Sequence, residues 1–163
     1  MKSYDKNYLE HASINLGTMF EYAVSCGYDP IIFWDTFCNS FVAEEIGKGN
    51  PIYLVGHSAI DLLNYVISEP EFIMPKKFSH PSEYYWVGWA LAQYQNYRNI
   101  SFFDINKGFP IEKVLSLYNT LHEADITKFY DIADEFINNN KKETNLKKIR
   151  RAAGLSQTEL AVK

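Results

Sequence analysis

Apolar residues recur along this chain at spacings of three and four, separated by short polar, glycine or proline stretches, and that rhythm predicts helices throughout. From about Tyr4 to Cys26, Leu9, Ala12, Leu16, Met19, Phe20 and Ala23 form one stripe, which Gly27 closes. Asp29 as a cap and Pro30 at the first helical position announce a second helix, because the N–H that proline lacks has no partner there anyway. Its content, "IIFWDTFCNSFVAEEIG", is apolar on most sides, which predicts one helix at the centre of a core. After "GKGNP", Ser58 caps "AIDLLNYVI", with Asp61 placed in the first turn for the helix dipole.

The stretch Glu69 to Ser82 holds three prolines and no period, and reads as a long surface loop. Ser82 or Ser79 then caps "EYYWVGWALAQYQNYR", where Tyr85, Trp89, Ala92 and Gln93 share one face and Trp86, Ala90 and Tyr97 a neighbouring one. Pro110 opens "IEKVLSLYNTLH", and "ADITKFYDIADEFINN" follows with Ile126, Phe129, Tyr130, Ile132, Ala133 and Phe136 apolar. No alternating run bounded by turns suggests a strand. The expected fold is all-α, a bundle of about six or seven helices followed by an incomplete helix-turn-helix.

The polar run "NNNKKETN", Asn138 to Asn145, marks a boundary and divides the chain into a helical domain, 1–140, and a tail, 141–163. In the tail, Leu146, Ile149 and Ala153 keep an apolar stripe opposite Lys147, Lys148, Arg150 and Arg151. Gly154 suits a left-handed helix end. Ser156 and Glu159 then form a capping box, with Leu155 and Leu160 at the staple positions. Charge sharpens the division. The tail holds seven basic and two acidic residues, a balance of +5, whereas Met1 to Asn140 holds nine basic and eighteen acidic residues, a balance of −9. An acidic body binds nucleic acid poorly, because neutralised phosphates supply non-specific affinity, and so the tail is the DNA-facing part.

Gly154, Leu155, Ser156, Gln157, Glu159, Leu160 and Ala161, after a basic helix, resemble the opening of the helix-turn-helix domain of Xre-type transcriptional regulators. The resemblance covers about 18 residues and stops short of the recognition helix, the element that reads bases. It implies that Lys147, Lys148, Arg151, Gln157 and Thr158 lie near DNA in a complete domain, and that the chain to Lys163 does not bind a specific operator alone. The segments "NLGTMFEYAV" (Asn15 to Val24), "GNP" (Gly49 to Pro51), "YWVGWALAQYQ" (Tyr85 to Gln95) and "LYNTLHEADITKF" (Leu117 to Phe129) resemble an uncharacterised helical domain fused to helix-turn-helix domains in Firmicutes regulators. That resemblance implies a regulator, with the antitoxin side of a toxin–antitoxin pair as one form of it, and gives no catalytic residues to carry over.

Three arrangements invite catalysis or ligand binding, and each has a packing explanation. His122, Glu123 and Asp125 could hold a metal, but their spacing does not face one point, and acids before an apolar run suit a helix start. Ser58, flanked by His57 and Asp61, could be a nucleophile, but a triad is assembled from separate segments and the G-x-S-x-G elbow is absent. Tyr84, Tyr85, Trp86, Trp89, Tyr94 and Tyr97 could line a pocket or stack bases; Arg98 is the one basic residue among them, so the base-stacking version fails. Cys26 and Cys38 sit among apolar residues and are expected as buried, reduced thiols of a cytoplasmic protein. No apolar run spans a membrane and no signal sequence opens the chain.

The reading is therefore a cytoplasmic regulatory domain without enzymatic activity, cofactor or metal. It binds operator DNA through a complete helix-turn-helix and is expected as a homodimer, from the two-fold symmetry of such operators. The rival reading is a protein-binding module, an antitoxin or phage-type inhibitor, that occupies a partner protein such as a toxin without DNA.

Overall fold

The computed structural model describes residues 4–67 and 82–152. Among them the chain forms α1 (Lys6–Ser25), α2 (Pro30–Cys38), α3 (Phe41–Gly47), α4 (Pro51–Val55), α5 (Ala59–Val66), α6 (Glu83–Arg98), α7 (Phe102–Gly108), α8 (Ile111–Ser116), α9 (Tyr118–Leu121) and α10 (Ile126–Ala152). The fold is all-α, with no strand among the described residues.

The axis of the molecule is the pair α1 and α6. They run antiparallel: the Tyr4 N–H donates to Asn96 Oδ1 at 3.1 Å, Gln93 Nε2 to Ser13 Oγ at 3.0 Å, and the Ser82 N–H to a Glu21 carboxylate oxygen at 2.7 Å. Two glycines let the backbones meet. A Cβ on Gly88 would stand 2.6 Å from the Leu16 carbonyl oxygen, and one on Gly17 would stand 2.7 Å from that of Tyr85. Only residues without side chains permit so close a crossing.

On one side of this pair, Phe20, Phe33, Trp34, Phe37 and Phe102 form a connected aromatic cluster, with ring centroids 5.2–6.1 Å apart. Another cluster on α6 joins Trp86 and Tyr94 to Phe129 of α10, and Phe129 to Phe109. Edge-on and offset rings at these separations combine large apolar burial with favourable quadrupole geometry. Most of the aromatic run read as a candidate pocket is thus packing: Tyr94 is buried, Tyr84 leans on Phe20, and Trp86 meets Tyr118 and Phe129. Tyr97 is the exception, half-exposed and stacked on Tyr130 at 4.4 Å.

Several elements differ from the sequence reading. The helix expected from Pro30 to Gly47 is two, because Ser40 accepts the Ala43 N–H at 3.2 Å and restarts the chain as α3. Nor is that segment central. Phe33, Trp34, Phe37 and Cys38 turn inward while Ile31 and Ile32 face outward, and α6 takes the central place. Short helices α4 and α7, started by Asn50 and Ser101, occupy stretches that carry no readable period. The helix opened at Pro110 breaks at Leu117 into α8 and α9, so ten helices stand among the described residues.

The polar run 138–145 is helical and continuous with the last helix of the body. Between Ile126 and Ala152 there is neither glycine nor proline, so once the apolar first half nucleates α10 each further turn needs only propagation. What changes at the expected boundary is burial. Ile137 is the last buried side chain described on α10, and Asn140 holds the helix to the body by donating to the Gly108 carbonyl at 2.6 Å. The expected loop falls largely on 68–81 and the hairpin from Gly154 to Ala161 on 153–163, both outside the described residues; Ser82 is the cap of α6.

Candidate functional site

The DNA-facing residues expected from sequence fall on or beyond the far end of α10. Lys147 and Lys148 are exposed there; Arg151 is helical, while Gln157 and Thr158 lie outside the described residues. The structure therefore places Lys147 and Lys148 on the same continuous helix whose first half is seated in the core through Phe129, Tyr130, Ala133 and Ile137. The outer half of that helix thus sets Lys141, Lys142, Lys147 and Lys148 beside an acidic body.

Along that half, α7 and α10 border a groove of about 630 Å³ lined by Ile100, Gly108 and Ile137 on its apolar side. Lys107, Lys141 and Lys148 with Asp104, Asn140 and Asn145 supply its polar lining. Among the described residues none of these three lysines forms an ion pair; Lys107 instead lies over the Phe103 ring at 4.7 Å. The sequence reading did not bring Lys107 to this face, since α7 itself was not foreseen.

The other candidates resolve into local structure. Ser58 Oγ accepts the Asp61 N–H at 3.2 Å while Asp61 Oδ2 accepts the Ser58 N–H at 3.0 Å, a capping box, and Ser58 Oγ also donates to Asp61 Oδ2 at 2.7 Å. These hydrogen bonds from Ser58, with His57 nearby, hold the Asp61 carboxyl below the usual carboxylate range. His57 lies between the rings of Tyr53 and Tyr65. His122 stacks on Tyr118 at 4.6 Å, and its Nδ1 is 2.9 Å from the Tyr118 carbonyl oxygen. Asp125 takes two hydrogen bonds from Thr127, at 2.6 and 2.9 Å, which lower its pKa as well. Among the described residues no three His, Cys, Asp or Glu side chains converge to hold a metal ion, and no helix is long and apolar enough to cross a membrane.

Both cysteines are free and buried. Burial, reinforced by the nearby Asp35 carboxylate, pushes the Cys38 thiol far up, so it stays protonated and poorly nucleophilic. A partly buried polar bridge ties α6 to α10: the Tyr94 hydroxyl donates to Asp134 Oδ1 at 2.7 Å, and Arg98 pairs with the same carboxylate. Burial raises the Tyr94 pKa, with Arg98 opposing.

One feature had no sequence signal. Phe41, Tyr53, His57 and Tyr65 make a continuous row of rings on α3, α4, the turn after it and α5, with centroids 5.7, 5.5 and 5.2 Å apart. Phe41 and Tyr65 are exposed and the two rings between them partly so. Spacings of 12, 4 and 8 residues suggest nothing until the turns at Gly49 and Gly56 are known. No known family model matches the chain, and no curated protein or solved structure matches it either.

Proposed function

We propose that the chain is the regulatory and interaction part of a DNA-binding transcriptional regulator of the Xre type, working as a homodimer in the cytoplasm. One observation carries the reading: α10 runs unbroken from the core to Lys147 and Lys148, so the acidic body and the basic stretch before the G-L-S-Q-x-E-L-A-like motif share one helix. A helix-turn-helix positioned by such a stem reads bases with a recognition helix, while Lys147, Lys148, Arg151, Gln157 and Thr158 meet backbone phosphate. The test is a mobility shift on DNA from the gene's own promoter. Residues 1–163 are expected to leave it unshifted, and a version extended through a recognition helix to retard it. Failure of the extended version rejects the reading.

A protein-binding module, in the manner of an antitoxin or inhibitor, is the second reading, favoured by the exposed ring row on a body of net charge −9. Copurification from the source cell separates the two: a stoichiometric foreign protein without DNA supports the module, and promoter DNA without such a protein supports the regulator.

A further inference from the structure

The groove between α7 and α10 has the size of a ligand cleft and a charge opposite to that of the body beside it. Its volume of about 630 Å³ falls among clefts that enclose small organic molecules, roughly 300–1,000 Å³. Lys107 lines it from α7 and Lys141 and Lys148 from α10, while Asp104 is the one carboxylate among the described lining residues. Asp104 is engaged at the start of α7: its Oδ2 accepts the Ser101 hydroxyl at 2.7 Å, and its N–H donates to Ser101 Oγ at 3.0 Å. Three cations thus outnumber one carboxylate, beside a body of net charge −9 over 1–140. Lys107 lies over the Phe103 ring, a contact that orients the ammonium without neutralising it.

The kind and spacing of these cations narrow the ligand. An ammonium is a compact point charge that suits phosphate, whereas a carboxylate is best met by the planar fork of arginine, and no arginine is among the described lining residues. Lys141 and Lys148 stand two turns apart on one helix, about 10 Å along its axis. With Lys107 on the other wall, the charges are spread along the groove and match a chain of phosphates better than a single one. Ile100 and Ile137 leave an apolar side for an organic group. The walls are already held together: Asn140 donates to the Gly108 carbonyl at 2.6 Å, and a Cβ on Gly108 would stand 2.8 Å from Ile137 Cγ1. A DNA duplex is a poor occupant, since reaching Lys107 on α7 would press its phosphates against the acidic body.

We infer that the α7–α10 groove is a binding site for a small organic di- or triphosphate, with Lys107, Lys141 and Lys148 on the phosphates and Ile100 and Ile137 against the organic part. The site goes beyond the regulator reading and shares only Lys148 with it, so each stands or falls separately.

The test is calorimetric titration of residues 1–163 in metal-free buffer with ATP, inorganic tripolyphosphate and inorganic phosphate. ATP and tripolyphosphate are expected to bind at one site per chain and to compete, and inorganic phosphate to bind more weakly than either by about tenfold or more. Lys107→Gln and Lys141→Gln change exposed side chains and are expected to fold with unchanged helical circular dichroism. Each should weaken ATP binding about tenfold, the loss of one charge-assisted contact. Lys128→Gln removes the same charge about 20 Å along α10 from Lys141 and should leave the affinity unchanged. Failure of both ATP and tripolyphosphate to bind overturns the inference, as does equal weakening by Lys128→Gln, the mark of attraction to net charge alone. Binding of tripolyphosphate with ATP excluded overturns the organic ligand. The promoter shift of the extended version reads DNA binding independently; if Lys107→Gln weakens that shift as much as it weakens ATP, Lys107 belongs to a DNA surface and the small-ligand site is overturned.

Discussion

α6 and the outer half of α10 both lack a two-faced helical pattern, for opposite reasons. α6 is apolar or aromatic nearly all round because it lies between α1 and α10, with Val87, Gly88, Ala90, Leu91, Ala92 and Tyr94 all buried. The described side chains of α10 beyond Ile137 are polar, and nearly all of them are exposed. The first helix is held by packing and the second by propensity and by continuity with a seated first half. Where periodicity is silent, composition still separates a core axis from a solvated stem, and each can serve a function the other cannot.

The same kind of substitution should have opposite signs in the two places. Gly88→Ala gains about 1 kcal/mol of helix propensity. Its new Cβ, however, would stand 2.6 Å from the Leu16 carbonyl oxygen and 2.9 Å from Gly17 Cα, both backbone atoms that cannot yield without parting α1 from α6. A net loss of about 2–4 kcal/mol is expected in urea unfolding, the largest effect of the three substitutions. Next comes the polar bridge on the packed side of α10. Asp134→Ala leaves the buried Tyr94 hydroxyl and the Arg98 guanidinium without their shared acceptor, for a loss of about 2 kcal/mol. Asn139→Ala, on the exposed side, meets nothing and should raise stability by about 0.5 kcal/mol, seen as a small rise in midpoint. If Gly88→Ala stabilised the protein as Asn139→Ala does, the contrast between the two regions would fail.

The all-helical class, α1, the capping of α5 by Ser58 and the capping of α6 by Ser82 were legible because each rests on local chemistry, apolar spacing or a side-chain oxygen before a helix. The break at Ser40 was present in the sequence but overridden by the apolar run around it. Helices α4 and α7, of five and seven residues, are too short to show a period. The continuation of α10 through 138–145 was hidden for another reason: asparagine and lysine look like a loop until a packed half-helix precedes them. At the candidate site, the charge division between body and tail could be read directly. The meeting of Lys107 with Lys141 and Lys148, and of Phe41 with Tyr53, His57 and Tyr65, could not, because both depend on turns that join separate helices.

The proposed division of labour, an acidic interaction body and a basic stem that meets phosphate, is tested most directly by the salt dependence of promoter binding. For the version extended through a recognition helix, log affinity should fall linearly with log salt concentration. Lys147→Gln with Lys148→Gln should shrink that slope by about 2, roughly one for each phosphate left unneutralised. A slope unchanged by the double substitution would contradict the account, since the end of α10 would then play no part in holding DNA.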